Sequence, residues 1–466
     1  MNLHRLWLIP ALLSGVAPLA AQEGLRAGFG AVDITPTLTA KKPVYLAGFG
    51  HNRKATGVHD PIMARAVVLD DGKNKLALVS VDVVGLFLPE VERVRAKLPG
   101  FAHVLVSSTH NHEGPDTLGL WGPNPFQSGV DPDYLEQVRA SIVRAVEQAD
   151  KKRAAVQPRI GTATGPELLH DGRKPIVKHD ELVAILLTDA KGKNAGLIVQ
   201  WNCHPETLSD KNTLLSADFT SATVDHLQKK HDCPVVYLTG TVGGLMTSLH
   251  VPIKDDAGKD LADGTFEKTR EYGVRVGRLA DAALAKAGPV RMTPLEVRRR
   301  DVFLPLDNPL YVVGWKLGVL KREAFLWTGN SDRAEKAPDT LPKMARLAIR
   351  SELAWLRLGE VQVAAIPGEI YPELVLGKVQ DPPDPGADFP DAAIEPAIYD
   401  QLAAKHKMII GLASDELGYI LPKRQWDEKA PFCYGLKKAQ YGEVNSLGPD
   451  TGPLLCAAFR TLVKGK

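Results

Sequence analysis

The chain has 466 residues, 44% hydrophobic and 24% charged, with Lys+Arg 57 against Asp+Glu 55 and a formal net charge of +2. That length holds one large domain or two to three smaller ones, and the balance is that of a globular protein. Near-neutral charge argues against a nucleic-acid binder that relies on bulk positive charge.

Taken in order, the chain opens with a basic start at Met1 to Arg5, an apolar run over 6–16 and small residues at Ala20-Ala21. This pattern predicts a secretory signal peptide over 1–21, too short in its apolar core to span a bilayer. Residues 27–36 predict an edge strand ending at Pro36, and 43–60 a glycine-rich loop. A strand pair is expected over 62–70 and 75–85 around the turn Asp71-Gly72-Lys73-Asn74. The next apolar run, Val104-Leu105-Val106, leads into Ser107-Ser108-Thr109-His110-Asn111-His112-Glu113-Gly114-Pro115. A helix is predicted over 132–149, where Leu135, Val138, Ile142 and Val146 recur at helical spacing. Strands are expected at 182–187, 197–201, 234–238, 361–366 and 408–412, and helices at 218–230 and 266–287. The pattern weakens over 291–350, read as a strand pair with a helical insertion, and 381–396 reads as a Pro- and Asp-rich loop. Cys203, Cys233, Cys433 and Cys456 show no zinc-finger spacing and are expected to be structural or free. Alternating strands and helices predict an α/β fold, a layered mixed sheet with helices on its faces.

One regularity points to chemistry. Five apolar strands are each followed by a chemically capable stretch: His110 and His112; His204-Pro205-Glu206; the turn Gly240 to Gly244; Glu369; and Tyr419. Ligands bind at the carboxyl ends of strands in open α/β sheets, so parallel neighbours would bring these residues together. Two histidines and a carboxylate make a sensible zinc set with a position left for water. Each residue also fits a plainer reading. His110 and His112 fit a solvated strand-end loop, His204 a satisfied core histidine, Glu369 a loop acid and Tyr419 a packing residue.

The same residues carry a resemblance. Ala27 to Pro36, His59 to Ala66, Ser80 to Gly85, Ser108 to Pro115, Asn202 to Pro205, Pro367 to Glu369, Gly418-Tyr419 and Tyr441 to Pro449 resemble, in order, the catalytic domain of the neutral/alkaline non-lysosomal ceramidase family. The resemblance implies a catalytic zinc held by His110, His204, Glu369 and Tyr419, with His112, Arg173 and Tyr441 catalytic. It further implies a hydrolase that cleaves the N-acyl bond of ceramide to a sphingoid base and a fatty acid, with a lipid or other N-acyl amide as substrate, and the expected signal peptide makes it exported. Peripheral contact with a membrane is expected, without a transmembrane segment or nucleic acid. One domain over 22–466 is expected, without the family's C-terminal immunoglobulin-like domain. Tyr434 is a rival for Tyr441. Departures stand at Gly243-Gly244-Leu245-Met246-Thr247, which lacks the family's aspartate and serine, and at Gly172-Arg173-Lys174. They leave open a same-family hydrolase for another N-acyl or ester substrate. A secreted binding protein that keeps the fold without the chemistry is also left open.

Overall fold

The computed structural model describes residues 24–338 and 345–465. The expected signal peptide lies outside the described residues. Among them no helix is long and apolar enough to cross a membrane.

Among the described residues three mixed sheets face one another. The first has the order β4-β3-β2-β1, from β1 (Arg26–Asp33), β2 (Met63–Asp70), β3 (Lys75–Val81) and β4 (His103–Ser108), with α1 (Leu88–Ala96) and α2 (Pro132–Lys151) packed outside. The second has the order β8-β7-β6-β5, from β5 (Gln157–Thr164), β6 (Glu181–Thr188), β7 (Asn194–Trp201) and β8 (Val235–Thr239). It is backed by α3 (Phe219–His231) and α4 (Phe266–Ala285). In the third, β9 (Leu295–Leu306) pairs along the whole of β11 (Leu347–Leu358), which also pairs with the short β10 (Ala324–Leu326) and with β12 (Val361–Ala365). Beyond β12 lies β13 (His406–Ile410), and α6 (Thr451–Lys464) covers the outer face. Between β9 and β10 stands α5 (Pro309–Lys316).

The strand period of two explains the layering. On β3, Leu76 and Leu78 enter a central core while Ala77, Val79 and Val81 face the first sheet's helices. On β7, Ile198 points inward and Leu197, Val199 and Trp201 outward. On β12, Val361, Val363 and Ala365 point inward, Ala364 outward. The central core is therefore built from all three sheets, and each strand is apolar on both sides because both are covered.

The expected parallel neighbours occur once in each sheet, as β3 with β4, β7 with β8, and β12 with β13. The other pairings between the long strands are antiparallel. The carboxyl ends of the parallel pairs are stitched together. Ser108 N–H donates to Leu412 O at 3.3 Å, Gly411 N–H to Thr239 O at 2.9 Å, and the Thr239 hydroxyl to Thr109 O at 3.0 Å. Three sheet ends thus share one point. All four cysteines are free and buried.

Candidate metal centre

At that shared point the chain leaves β4 through His110, whose backbone adopts φ 66°. The turn is held by His110 N–H on Val83 O at 3.1 Å, and its Nδ1 lies 2.7 Å from Val84 O. A carbonyl only accepts, so Nδ1 carries the hydrogen and Nε2 is the free end. His204, just past β7, is fixed in the same way. Its N–H and its Nδ1 both meet Met246 O, at 3.0 and 2.8 Å. Glu369 and Tyr419 follow β12 and β13 and are register partners in a short parallel pairing, Glu369–Ile370 with Tyr419–Ile420. The register places both side chains on one side of that ribbon.

These four side chains converge. Glu369 Oε2 lies 2.9 Å from His204 Nε2 and 3.3 Å from His110 Nε2. The Tyr419 hydroxyl lies 3.5 Å from His204 Nε2. All four residues are buried. Burial opposes charge on His204, yet the Glu369 hydrogen bond and the Glu206 and Glu369 charges raise it to about 9. Two imidazoles aimed at one carboxylate oxygen must each carry a second proton there, or share a cation with it. With Nδ1 of each locked on a carbonyl, the set suits a cation such as zinc, because such backing bonds present Nε2 as the ligand atom.

His112 completes a cluster in which ligand atoms of His110, His112 and His204 lie within 4.8 Å of one another. Its ring stands edge-on to those of His110 and Phe49. Its Nδ1 lies 3.3 Å from Glu206 Oε2. Burial lowers His112 to about 4 against the pull of Glu206, so its imidazole is neutral near pH 7. Gly48 makes room for it. At φ +92° a Cβ on Gly48 would fall 2.2 Å from His112 Cγ.

A cavity opens over this cluster. His110, His112, Glu369, Tyr419 and Tyr441 form its polar end, and Phe87, Leu118, Trp121, Leu306, Tyr311 and Trp315 are among its apolar walls. The Tyr441 hydroxyl accepts from Asn445 Nδ2, which frees its own hydrogen to donate into the cavity. Burial and the Glu369 charge push this phenol up to about 12, so it stays protonated.

Arg173 does not line the cavity. Its guanidinium is clamped on Glu443 at 2.8 and 2.9 Å and donates to Gln425 O and Tyr441 O. Buried acceptors take both terminal nitrogens. Tyr434 also stands away from the cavity lining, with its hydroxyl on Gln380. The sequence reading named Glu206 within a strand-end stretch but gave it no role, and Glu416 escaped it. Glu206 lies two residues past His204 in the same strand-end run, a spacing that signals it. Glu416 lines the cavity with Oε1 accepting from Gly418 N–H. Nothing in the sequence separates Glu416 from a loop acid. The departure at Gly243 to Thr247 costs the site nothing at His204, since Met246 serves through its backbone carbonyl.

No family model matches the sequence. Over 280 residues, 54% of this chain, it is 25% identical to the neutral ceramidase of Pseudomonas aeruginosa. The chain is related to the neutral ceramidases. The match spans 40% of that relative's length. The crystal structure of the Pseudomonas aeruginosa neutral ceramidase superposes on 94% of this chain and 74% of its own, at TM-score 0.69 and 17% identity. A structure described as ceramidase complexed with C2 matches equally well, at TM-score 0.69 and 16% identity over 94% of this chain and 75% of its own. These two neighbours share the fold, including the layered α/β sheets.

Proposed function

We propose that this ceramidase relative is an exported, zinc-dependent amide hydrolase that cleaves the N-acyl bond of ceramide-type lipids to a fatty acid and a sphingoid base. The observation that carries the reading is that His110 Nε2 and His204 Nε2 meet Glu369 Oε2, at 3.3 and 2.9 Å, beside an apolar cavity. His110, His204, Glu369 and Tyr419 would hold the zinc. Zinc bound there polarises a carbonyl and acidifies water.

The remaining steps belong to the chain's own side chains. Apolar walls take hydrocarbon and exclude water, and the polar end takes the amide. Neutral His112 accepts a proton from the attacking water and returns it to the leaving nitrogen as the C–N bond breaks. The Tyr441 hydroxyl donates to the oxygen on which charge develops. Arg173 acts through Tyr441, holding its backbone from behind. The altered Gly243 to Thr247 stretch favours a second reading within the same class, in which another N-acyl or ester compound is the substrate.

The test combines zinc content with turnover of a panel of fluorogenic ceramides and other N-acyl amides, for wild type and His110→Ala. The expected result is one zinc per chain with ceramide turnover in wild type, and loss of both in the variant. Turnover of a different amide alone selects the second reading, and full activity in His110→Ala overturns both.

A further inference from the structure

The three histidines of the cluster are not held alike. His110 and His204 each rest Nδ1 on a backbone carbonyl, Val84 O at 2.7 Å and Met246 O at 2.8 Å. His112 has no such carbonyl. Its Nδ1 is buried and lacks an aligned hydrogen-bond partner among the described residues, and the acceptor in reach is Glu206 Oε2, 3.3 Å away. A buried N–H left unpaired costs free energy, so a small turn of the ring onto that carboxylate is favoured. Catalytic hydrogen bonds are commonly long before substrate binds and tighten with it.

The backbone brings Glu206 to this place. His112 N–H donates to Pro205 O at 3.2 Å, Glu206 N–H to His204 O at 3.0 Å and Ser209 N–H to Glu206 O at 3.0 Å. One turn after β7 therefore supplies both His204 and the acid that faces His112. Neighbouring rings confine the imidazole. Those of Phe49, His110 and His204 stand edge-on to it at 5.0, 4.9 and 5.8 Å. Within these walls the ring has two orientations, related by a half-turn about its Cβ–Cγ bond. One sets Nδ1 against Glu206, and the other sets a carbon there, which makes no such bond. An ionised carboxylate only accepts, so the first orientation puts the hydrogen on Nδ1 and leaves the Nε2 lone pair free. His112 lines the cavity, and Nε2 is the nitrogen left for a reacting water.

We propose that Glu206 is a positioning residue, which holds His112 in the Nδ1–H tautomer and in the orientation that presents Nε2 to the attacking water. The inference deepens the proposed amide hydrolysis and rests on that reading. The proton passes from water to His112 Nε2 and on to the leaving nitrogen, and Glu206 takes none of it.

The test is Glu206→Ala in the zinc-loaded protein, read by turnover, by metal analysis and by the two-bond nitrogen–proton spectrum of histidine-labelled protein. The His112 signals are those missing from His112→Ala. Wild type is expected to carry the His112 hydrogen on Nδ1, with Nε2 bare. In Glu206→Ala that pattern should give way to Nε2–H, kcat should fall by about tenfold or more, and KM and zinc content should change little. Glu206→Gln, which keeps shape and an acceptor oxygen, should lose less. Circular dichroism checks folding, and the wild-type spectrum tests the tautomer whether or not the alanine variant folds. Hydrogen on Nε2 in wild type overturns the proposal. So does unchanged turnover in Glu206→Ala, or a fall in kcat with the His112 pattern unchanged, which a merely structural role would give. Loss of zinc overturns it too, since Glu206 would then serve the metal. If the pattern changes as expected while wild type hydrolyses no amide, the pairing stands and the hydrolase reading falls.

Discussion

Two imidazoles from one His-Asn-His stretch should fail in different ways. His110 Nε2 faces Glu369, whereas His112 Nδ1 faces Glu206, 3.3 Å away. A ligand removed takes the metal with it, while a proton carrier removed leaves the metal in place. His112→Ala is expected to keep its zinc by metal analysis and to lose turnover by about 10²- to 10⁴-fold, the range of a positioned acid–base group. If zinc leaves with His112, the three-histidine cluster is the binding set and the proton role belongs elsewhere. The reason the two histidines part company is the backbone. At φ 66° His110 turns away from the extended geometry that would send both rings to one face.

Among the short elements, the segment carrying Tyr441 depends on a buried ion pair. Arg173 and Glu443 are each almost fully buried, and the same guanidinium holds the Gln425 and Tyr441 carbonyls. Removing one partner strands the other charge, at a cost of about 3–5 kcal/mol. Glu443→Ala should therefore lose stability of that order in urea unfolding. Glu443→Gln, which keeps shape and an acceptor, should lose less and show a lower kcat with little change in zinc. Unchanged stability in Glu443→Ala would show that the pair is not structural. Sequence could find Arg173 but not its partner, because 270 residues separate the two. Element legibility followed the same rule. The helices at Pro132–Lys151, Phe219–His231 and Phe266–Ala285 were readable because each packs one apolar stripe on a sheet. The twelve-residue pairing of β9 with β11 was legible only as an unplaced strand pair around a helical insertion, since the Arg298-Arg299-Arg300-Asp301 run interrupts the apolar pattern of β9. Helix α5 was read only as an insertion, as no buried stripe marks it.

At the scale of the molecule, what the sequence could show was that capable residues follow strands. What it could not show was that the strands lie in three sheets rather than one, since only the central core, fed by all three, makes their ends meet. The seams between those sheets hold neutral histidines, and these set an acid limit on stability. His103, on β4 of the first sheet, accepts from Arg95, which in turn holds Glu352 of the third sheet. Burial and the Arg95 and Arg299 charges lower it to about 3. His179, with Nδ1 on the Thr241 hydroxyl and its ring edge-on to Tyr399, is lowered to about 4, first by burial and then by the Lys378 charge. Unfolded, each returns to the ordinary value of 6.5. Between the folded and unfolded values the unfolded chain binds more protons, so stability falls as pH drops through that window. Below pH 6.5 each histidine therefore begins to favour unfolding, and by pH 5 each costs roughly 2 kcal/mol. In urea unfolding at pH 7 and pH 5, His103→Gln keeps an acceptor for Arg95 but has nothing to protonate. Its loss of stability between the two pH values should be smaller than that of wild type by roughly 2 kcal/mol. Comparing the two proteins cancels acid release of any metal, which both share. An equal loss in wild type and variant would mean that protonation of His103 does not open the seam between the first and third sheets.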